Sequence, residues 1–288
     1  MTVPLAALVR AMRPRHWLKN GFVFAPAVFS GHIFDPPTLA RVAGAAAAFC
    51  LVSSAVYLVN DVLDREADRA DPVKCNRPIA AGLVSIRLAL VTAAALVAIA
   101  LGGSFALSLT CAAAVAGYVL LNLLYSLGLK MVAVLEAMVL ATGFILRLVA
   151  GALVIDVQIS HWLLICGGLL ATLLAFGKRA PEINHASART PHYPASFLTE
   201  AVTLLAGVTM VAYILYTVAS ETVAKFHTHA LLLTAPVVLF GILRYLFLLA
   251  REGAQDPTAT LLADRPMLAT VVVWALLAGT IIFLAGRA

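Results

Sequence analysis

The sequence predicts an all-α protein with several membrane-spanning helices. Of its 288 residues, 62% are hydrophobic and only 12% are charged, and the mean hydropathy is +0.99. Soluble globular domains are far less apolar. A helix needs about 20 apolar residues to cross the hydrocarbon core of a bilayer, and segments of roughly this length recur along the whole chain. We therefore expect a polytopic transmembrane helix bundle.

Nine apolar segments are candidates for transmembrane helices, and we expect them to form one integral membrane catalytic domain over residues 1–288. The leading segment is not typical of a signal peptide, because about twenty residues with several basic side chains precede it and Pro26 interrupts its apolar core. Residues 5–12 before it are expected to lie as a short helix in the membrane interface. The predicted spans lie near residues 20–34, 40–60, 86–105, 108–126, 132–154, 160–177, 197–219, 229–250 and 267–286.

Basic residues are unevenly distributed between the connections. With a cytoplasmic amino terminus, sixteen lysines and arginines fall on inner connections and three on outer ones, and Arg147 lies within a span. Lysine and arginine are enriched in cytoplasmic loops, so we predict this orientation in the plasma membrane. The inner loops are then 60–86, 125–132, 177–197 and 251–266.

The net charge of +6 does not indicate nucleic-acid binding, because the insertion rule alone places most of these cations on one membrane face. The four cysteines form no CxxC pair, so neither a disulfide nor a metal site follows from them. We interpret His185, His192, His227 and His229 as surface residues.

The inner loop after the second span begins with Asn60-Asp61-Val62-Leu63-Asp64-Arg65-Glu66-Ala67-Asp68. In a helix, Asn60, Asp61, Asp64 and Asp68 share one face, whereas Glu66 points elsewhere. Carboxylates at this spacing repel one another unless a hard divalent cation lies between them, and Mg²⁺ leaves positions open for phosphate oxygens. We predict that these four residues bind Mg²⁺, or Mn²⁺, and that the three aspartates are catalytic. The alternative is a solvated helix end.

Two cations follow the carboxylates in the same loop. Lys74 and Arg77 are placed to neutralise charge that develops on a departing diphosphate. Membrane topology alone is the alternative explanation for both.

The fourth and fifth spans carry polar residues inside apolar sequence. Tyr118, Asn122 and Tyr125 share one helix face, which indicates a polar interior. Glu136 and Arg147 return to the same face after about three turns. Each costs a few kcal/mol in a membrane unless it is paired or borders a water-filled cavity. They belong either to the site or to a structural pairing with other helices.

The third inner loop begins with Lys178 and Arg179, adjacent cations of which one is expected to face the cavity and the other the headgroups. Asp256-Pro257 and Asp264-Arg265-Pro266 in the last inner loop are typical turn sequences.

Together these motifs resemble the UbiA-type intramembrane prenyltransferase superfamily. The resemblance is carried by Arg13-Pro14-Arg15-His16-Trp17-Leu18-Lys19-Asn20, by residues 60–68, and by Asn76-Arg77-Pro78 through Gly82. It implies a nine-helix bundle with a cytoplasm-facing central cavity, in which Mg²⁺ holds a diphosphate.

One loop departs from the aromatic prenyltransferases of that superfamily. Residues 177–197 contain no aspartate where those enzymes have a second aspartate-rich loop. With residues 125–130 and 143–147, this loop resembles the branch of decaprenyl-phosphate phosphoribosyltransferases. Glu136 stands where the resemblance leads us to expect aspartate.

The resemblance implies transfer of a phosphoribosyl group from phosphoribosyl pyrophosphate to a polyprenyl (decaprenyl) phosphate, toward the arabinose donor for cell-wall arabinan. Two alternatives are a prenyltransferase with an aromatic or other small acceptor, and a transporter, although no internal repeat supports the latter. Membrane lipid is a further partner, and a homo-oligomer is left open. The residues expected to bind substrate are Lys19, Asn60, Lys74, Arg77, Tyr125, Lys130, Glu136, Arg147, Lys178 and Arg179.

Overall fold

The structure, a computed structural model, describes residues 5–179, 193–252, 260 and 263–285. Every regular element in these residues is helical, so the all-α prediction is confirmed. The α-helices are α1 Leu5–Met12, α2 Ala25–Phe29, α3 Pro36–Leu63, α4 Arg65–Ala70, α5 Ile86–Leu107, α6 Leu109–Leu127, α7 Leu135–Val154, α8 His161–Gly177, α9 Ala195–Val218, α10 Ser220–Phe226, α11 Ala235–Glu252 and α12 Arg265–Ala285. The 3₁₀ helices within the described residues cover Pro14–Phe24, Lys74–Asn76, Leu129–Met131 and Ala230–Thr234.

Among the described residues, seven helices are long and apolar enough to cross a membrane. They are α3, α5, α6, α7, α9, α12 and the combined stretch Ala230–Arg251. The chain is therefore an integral membrane protein. A further helix, α8, is equally apolar but has only 17 residues, the lower limit for a transmembrane helix.

The predicted count of nine spans is not confirmed, and the first predicted span, 20–34, is not a long helix. Its residues form the end of the 3₁₀ helix Pro14–Phe24, the five-residue α2 and a turn. Pro26 lies at the start of α2, and Gly31 adopts a positive φ of 80° that ends regular structure. Asn20 and Trp17 in the 3₁₀ helix donate hydrogen bonds to side chains of α3, which ties this segment to the bundle.

The described chain forms two compact helical units. The first comprises residues 5–159, and the second comprises residues 160–179, 193–252, 260 and 263–285. The single catalytic domain remains a prediction.

Helix α3 is the central element of the first unit. It packs against α1, α5, α6, α7 and the 3₁₀ helix Pro14–Phe24, and it is the most buried of the seven long helices. Phe49, Val52 and Leu58 on α3 are fully buried. Asp35 caps the helix by accepting hydrogen bonds from the backbone amide and hydroxyl of Thr38. The acidic motif lies at the carboxyl-terminal end of α3, which faces the cytoplasm in the predicted orientation.

The second unit is built from α8 to α12. Trp274 on α12 donates a hydrogen bond of 2.7 Å to the Tyr213 hydroxyl on α9, which lies 2.6 Å from the Thr234 hydroxyl. Arg244 on α11 forms a bidentate ion pair with Asp264 at 2.7 and 3.1 Å. Asp264 also accepts from the backbone amide of Met267 and so caps α12. The Arg244 guanidinium holds the pKa of Asp264 below its ordinary value.

Gly151 on α7 allows the amino-terminal segment to approach the bundle. A Cβ at this position would overlap the backbone carbonyl oxygen of Val23 and lie 3.3 Å from Cδ of Pro26. Because the first obstacle is backbone, the segment itself would have to move. Close approach of this kind is the usual role of glycine between membrane helices.

We expect Gly151→Ala to lower the free energy of unfolding by about 1–3 kcal/mol, the usual cost of overpacking. Gly117→Ala on α6 is the matched control, since a Cβ there meets nothing within 4 Å. Alanine should leave stability at position 117 unchanged or raise it by up to about 1 kcal/mol. Unfolding of both variants in detergent micelles measures the difference, and equal stability would contradict the close contact.

Candidate active site

The acidic motif lies at a break between two helices. Helix α3 ends at Leu63 and α4 begins at Arg65, so Asp64 is the junction. The helical hydrogen-bond register nevertheless continues, because the amide of Asp64 donates to the carbonyl of Asn60 and the amide of Asp68 donates to that of Asp64, each at 2.8 Å. The predicted four-residue recurrence of Asn60, Asp64 and Asp68 is therefore retained.

Asp61 is the most enclosed of the three aspartates. Its Oδ1 accepts from Arg13 Nη2 at 2.5 Å and lies 3.3 Å from Arg77 Nη1. Only 3% of its side chain is exposed. Its second oxygen, Oδ2, is buried and has no hydrogen-bond partner among the described residues. A buried carboxylate oxygen without a donor is costly, so this atom is a candidate to bind a cation or another donor.

The other two aspartates also lie against cations. Asp68 Oδ2 accepts from Arg77 Nη1 at 2.8 Å, and Asp64 Oδ1 accepts from Lys130 Nζ at 2.7 Å. Burial raises the pKa of Asp68, and the Arg77 guanidinium beside it acts in the opposite direction. Three carboxylates and three cations thus form a cluster of balanced charge, called here the acidic-basic cluster.

The acidic-basic cluster consists of Asp61, Asp64, Asp68, Arg13, Arg77 and Lys130. Arg77 lies between Asp61 and Asp68, and Lys130 lies against Asp64. In the described ranges, no three His, Cys, Asp or Glu side chains converge closely enough to form a metal site as they stand. The donor set still fits a hard divalent cation, because it offers carboxylate oxygens at one helix junction and an unpartnered Asp61 oxygen. For a divalent cation to bind here, Arg13, Arg77 or Lys130 would have to move away from some of the carboxylate oxygens.

Asn60 is held from α6. The Ser126 hydroxyl oxygen lies within hydrogen-bond distance of Oδ1 of Asn60 and of the carbonyl oxygen of Asn122, the latter at 2.7 Å, and its single proton can be donated to either. This contact positions the amide next to the aspartates and connects α6 to the end of α3.

Arg147 lies deep in the first unit, on α7, and only 6% of it is exposed. It donates to Asn20 Oδ1 at 2.7 Å, to the carbonyl of Gly143 at 2.7 Å and to the Tyr118 hydroxyl at 3.1 Å. The guanidinium also lies 4.7 Å from the ring centroid of Tyr118. No carboxylate pairs with it among the described residues, so neutral acceptors and aromatic faces stabilise its charge.

Glu136 is fully buried in the first turn of α7. It is eleven residues from Arg147, which corresponds to about 16 Å along the helix, so the two occupy different levels of the bundle. Val134, just before the helix, has φ 68° and ψ −49°, a strained conformation for a β-branched residue. This turn sets where α7 begins and therefore where Glu136 lies.

The remaining predicted substrate residues lie in several places. Lys74 forms an ion pair with Asp71 at 3.4 Å and is not brought to the three aspartates. Lys19 and Tyr125 are half-buried in the first unit. Lys178 and Arg179 directly follow α8 in the second unit, and Arg179 is buried. The predictions for His185, His192 and Asp256-Pro257 concern residues outside the described ranges.

Sequence reasoning did not select Arg13, Asn20 or Ser126 as site residues. Arg13 and Asn20 belong to residues 13–20, which carry part of the family resemblance. That resemblance could have identified both as candidate site residues. Ser126 had no such signal beyond its position next to Tyr125.

Comparisons with known proteins match most of the chain to one family. The profile of the UbiA prenyltransferase family matches residues 21–268. The chain is 34% identical to the decaprenyl-phosphate phosphoribosyltransferase of Mycolicibacterium smegmatis, over 94% of this chain and 90% of that protein. It is 38% identical to the protein of the same name from Corynebacterium glutamicum, over 61% of this chain and 54% of that one.

A solved structure shares the fold. It is that of a UbiA homolog from Archaeoglobus fulgidus bound to GPP and Mg²⁺, with a TM-score of 0.74 and 17% sequence identity, covering 98% of this chain and 100% of that one. At this identity the likeness establishes the helical architecture.

The contact between Arg147 and Asn20 can be tested by a double-mutant cycle of Arg147→Met and Asn20→Leu. Each single change leaves a buried polar group unpaired, so we expect a coupling free energy of about 1.5–3 kcal/mol, the range for hydrogen bonds to charged groups. Unfolding in detergent provides the four stabilities.

The control cycle combines Arg147→Met with Trp17→Phe, because Trp17 donates to Ser54 and does not contact Arg147. This pair should be additive to within about 0.5 kcal/mol. If the effects of Arg147→Met and Asn20→Leu on the free energy of unfolding were also additive, the contact between these two residues would not contribute to stability.

Proposed function

This chain belongs to the UbiA prenyltransferase family, and on that basis we propose that it transfers the 5-phosphoribosyl group of phosphoribosyl pyrophosphate to decaprenyl phosphate and releases pyrophosphate. The observation that carries the proposal is the similarity, over 94% of the chain, to a protein named for that activity. The product, a polyprenyl-phosphoryl phosphoribose, would be a precursor of the lipid-linked arabinose donor for cell-wall arabinan.

The charges of the site support this substrate class. The donor carries a diphosphate and a 5-phosphate, and the phosphate of the acceptor is a third anionic group, so the reaction gathers several negative charges. The acidic-basic cluster supplies Arg13, Arg77 and Lys130 beside the carboxylates, and charge-assisted hydrogen bonds from such groups are the usual way proteins bind phosphate.

Prenyl transfer to an aromatic acceptor is less favoured. It would keep the acidic motif, but residues 177–197 contain no aspartate and offer Lys178 and Arg179 instead. The relatives with the stated names also point to phosphoribosyl transfer.

Asp61, Asp64 and Asp68 would hold a divalent cation, which we propose is Mg²⁺, with Asn60 beside them. When bound, the ion would supply positive charge to the leaving diphosphate. The UbiA homolog from Archaeoglobus fulgidus is described as bound to Mg²⁺, which supports the choice of metal.

The chain's own groups bind and align the reactants. Lys130 and Arg77 are placed to bind phosphate oxygens next to the aspartates, and Ser126 keeps Asn60 oriented. Arg147 would shape the ribose pocket indirectly, through Asn20 and Tyr118. A phosphate oxygen of the lipid attacks the anomeric carbon as pyrophosphate leaves, so a single displacement inverts that centre. The acceptor is already anionic, so no general base is assigned; alignment of the reactants is the main contribution.

We propose that the site faces the cytoplasm at the plasma membrane. The basic residues of the predicted inner loops outnumber those of the outer ones, and the acidic motif lies on an inner loop. Phosphoribosyl pyrophosphate is a charged metabolite that does not cross a bilayer, so an inward-facing site gives it direct access.

The test is transfer of radiolabel from phosphoribosyl pyrophosphate to decaprenyl phosphate by the purified protein in detergent, with Mg²⁺ and with EDTA. A polyprenyl diphosphate and an aromatic acid form a parallel reaction. We expect label in the lipid fraction only when Mg²⁺ is present. Label-free lipid together with a prenylated aromatic product would replace the proposal by prenyl transfer.

We expect Asp64→Asn to reduce transfer by about 100-fold or more, the scale on which loss of one charge-stabilising group acts in a transition state. Glu66→Gln is the matched control, because it removes the same charge from the same loop at a side chain that is 74% exposed and pairs with Arg65 and Arg69. Both variants should keep the thermal stability of the unsubstituted protein to within a few degrees. Full activity in a folded Asp64→Asn protein would remove Asp64 from the site.

A further inference from the structure

A row of side-chain contacts fastens the amino-terminal segment antiparallel to α3. As residue numbers fall along this segment, the partners advance along α3 toward the acidic motif. The contacts join Asn20 to Cys50 and Ser53, Trp17 to Ser54, His16 to Tyr57, and Arg13 to Asp61. The eleven steps along α3 rise by about 16 Å and the seven along the segment by about 14 Å. The two elements therefore stay in register as far as Asp61.

Tyr57 makes the last contact of this row before the acidic motif. It lies one helical turn before Asp61 on α3, so the two side chains are neighbours on the helix surface. The Arg13 guanidinium lies 4.8 Å from the Tyr57 ring centroid. His16 meets the same ring edge-on at 5.3 Å between centroids, and its Nδ1 lies 3.1 Å from the Tyr57 hydroxyl oxygen. Tyr57 thus contacts both the arginine that pairs with Asp61 and a histidine of the 3₁₀ helix.

Arg13 occupies a backbone position that is usually taken by glycine. It directly follows α1 with φ 54° and ψ 60°, and its amide donates to the carbonyl of Arg10 at 3.2 Å, as in a left-handed helix end. A residue with a side chain pays a conformational cost there that glycine avoids. Its guanidinium contacts Asp61 and the ring of Tyr57. A backbone outlier whose side chain reaches the acidic motif indicates a role at the site.

Two contacts on different sides hold the Arg13 guanidinium. Its Nη2 donates to Oδ1 of Asp61 at 2.5 Å, and the ring of Tyr57 attracts the cation through its aromatic face. An arginine side chain is long and flexible, so one contact alone leaves it many orientations. The Arg13 side chain is 25% exposed, and without the ring it could turn toward water. Asp61 would then lose a fixed partner for Oδ1.

We propose that Tyr57 is a positioning residue for the acidic motif. Its ring keeps the Arg13 guanidinium on Oδ1 of Asp61, and His16 fixes the ring through the hydroxyl group. In this role Tyr57 acts through Arg13 on the orientation of the Asp61 carboxylate and has no need to touch the reactants. The use of Asp61 in phosphoribosyl transfer rests on the proposed function, whereas the contact of Tyr57 with Arg13 does not.

Nuclear magnetic resonance of the Arg13 side chain tests the contact without any substrate. The protein is labelled with ¹⁵N-arginine in detergent micelles, and Arg13→Gln identifies the Arg13 Nε–H resonance by its loss. We expect Tyr57→Leu to move this resonance, because the ring current at the guanidinium disappears. Tyr57→Phe keeps the ring and should leave the resonance near its original position.

Trp17→Phe is the matched control, because it removes a different contact of the same row, the hydrogen bond to Ser54. It should leave the Arg13 resonance where it is. An unmoved resonance in folded Tyr57→Leu, or an equal movement in Trp17→Phe, would overturn the positioning role. Tyr57 is only half-buried, and Tyr57→Met takes the place of Tyr57→Leu if circular dichroism shows the latter to be unfolded.

Kinetics with phosphoribosyl pyrophosphate as the varied substrate provide the second measurement. Tyr57→Leu should lower kcat/KM by about tenfold, the scale of a partly desolvated cation–π contact, and Tyr57→Phe should lower it less. In an Arg13→Gln background, Tyr57→Leu should have almost no further effect, because both changes remove the same contact. A full additional loss in that background would show that Tyr57 acts by another route and would overturn the proposal.

The resonance measurement contains neither donor nor acceptor. The expected shifts beside a failed transfer assay would therefore overturn the proposed function and leave the contact of Tyr57 with Arg13 standing. Turnover by the protein together with an unmoved Arg13 resonance in Tyr57→Leu would do the reverse.

Discussion

Neutralisation of the carboxylates at the end of α3 is the constraint on which the first unit depends. An unpaired buried carboxylate costs several kcal/mol, and Asp61 and Asp68 are almost fully enclosed. Their counter-charges come from Arg13, before the 3₁₀ helix, and from Arg77, after α4. Two chain segments that flank α3 in sequence must therefore fold back onto its end, and Lys130 adds a third segment at Asp64.

The buried Arg147 on α7 also stabilises the position of the amino-terminal segment. Arg147 holds Asn20, and Gly151 one turn later lets Val23 lie against α7. Because Asn20 also donates to Cys50 and Ser53 on α3, the 3₁₀ helix is fastened between two long helices. Its fixed position carries Arg13 to the acidic motif. The buried contacts of Asn20 therefore help to determine where Arg13 lies relative to Asp61.

The fold alone does not determine the reaction. Protein architectures host many activities, and the difference lies in the groups at the site. Here the difference from an aromatic prenyltransferase is the balance of charge, since residues 177–197 contain Lys178 and Arg179 and no aspartate. A reaction that gathers three anionic groups, a diphosphate and two monophosphates, needs more cationic side chains than transfer from one diphosphate to a neutral acceptor.

Local patterns in the sequence determined the membrane class, most of the helices and the acidic motif. Apolar length and four-residue spacing are properties of neighbouring residues, so no tertiary information was needed to predict α3 or the common face of Asn60, Asp64 and Asp68. The prediction of a first span at residues 20–34 was wrong because Pro26 and Gly31 interrupt the helix, and because Asn20 in this segment binds α3 and α7. Only the tertiary structure brought Arg13 to Asp61, 48 residues away, and Arg147 to Asn20, 127 residues away. Such pairings depend on which segments fold together, and a charge in the sequence does not say which opposite charge it will meet.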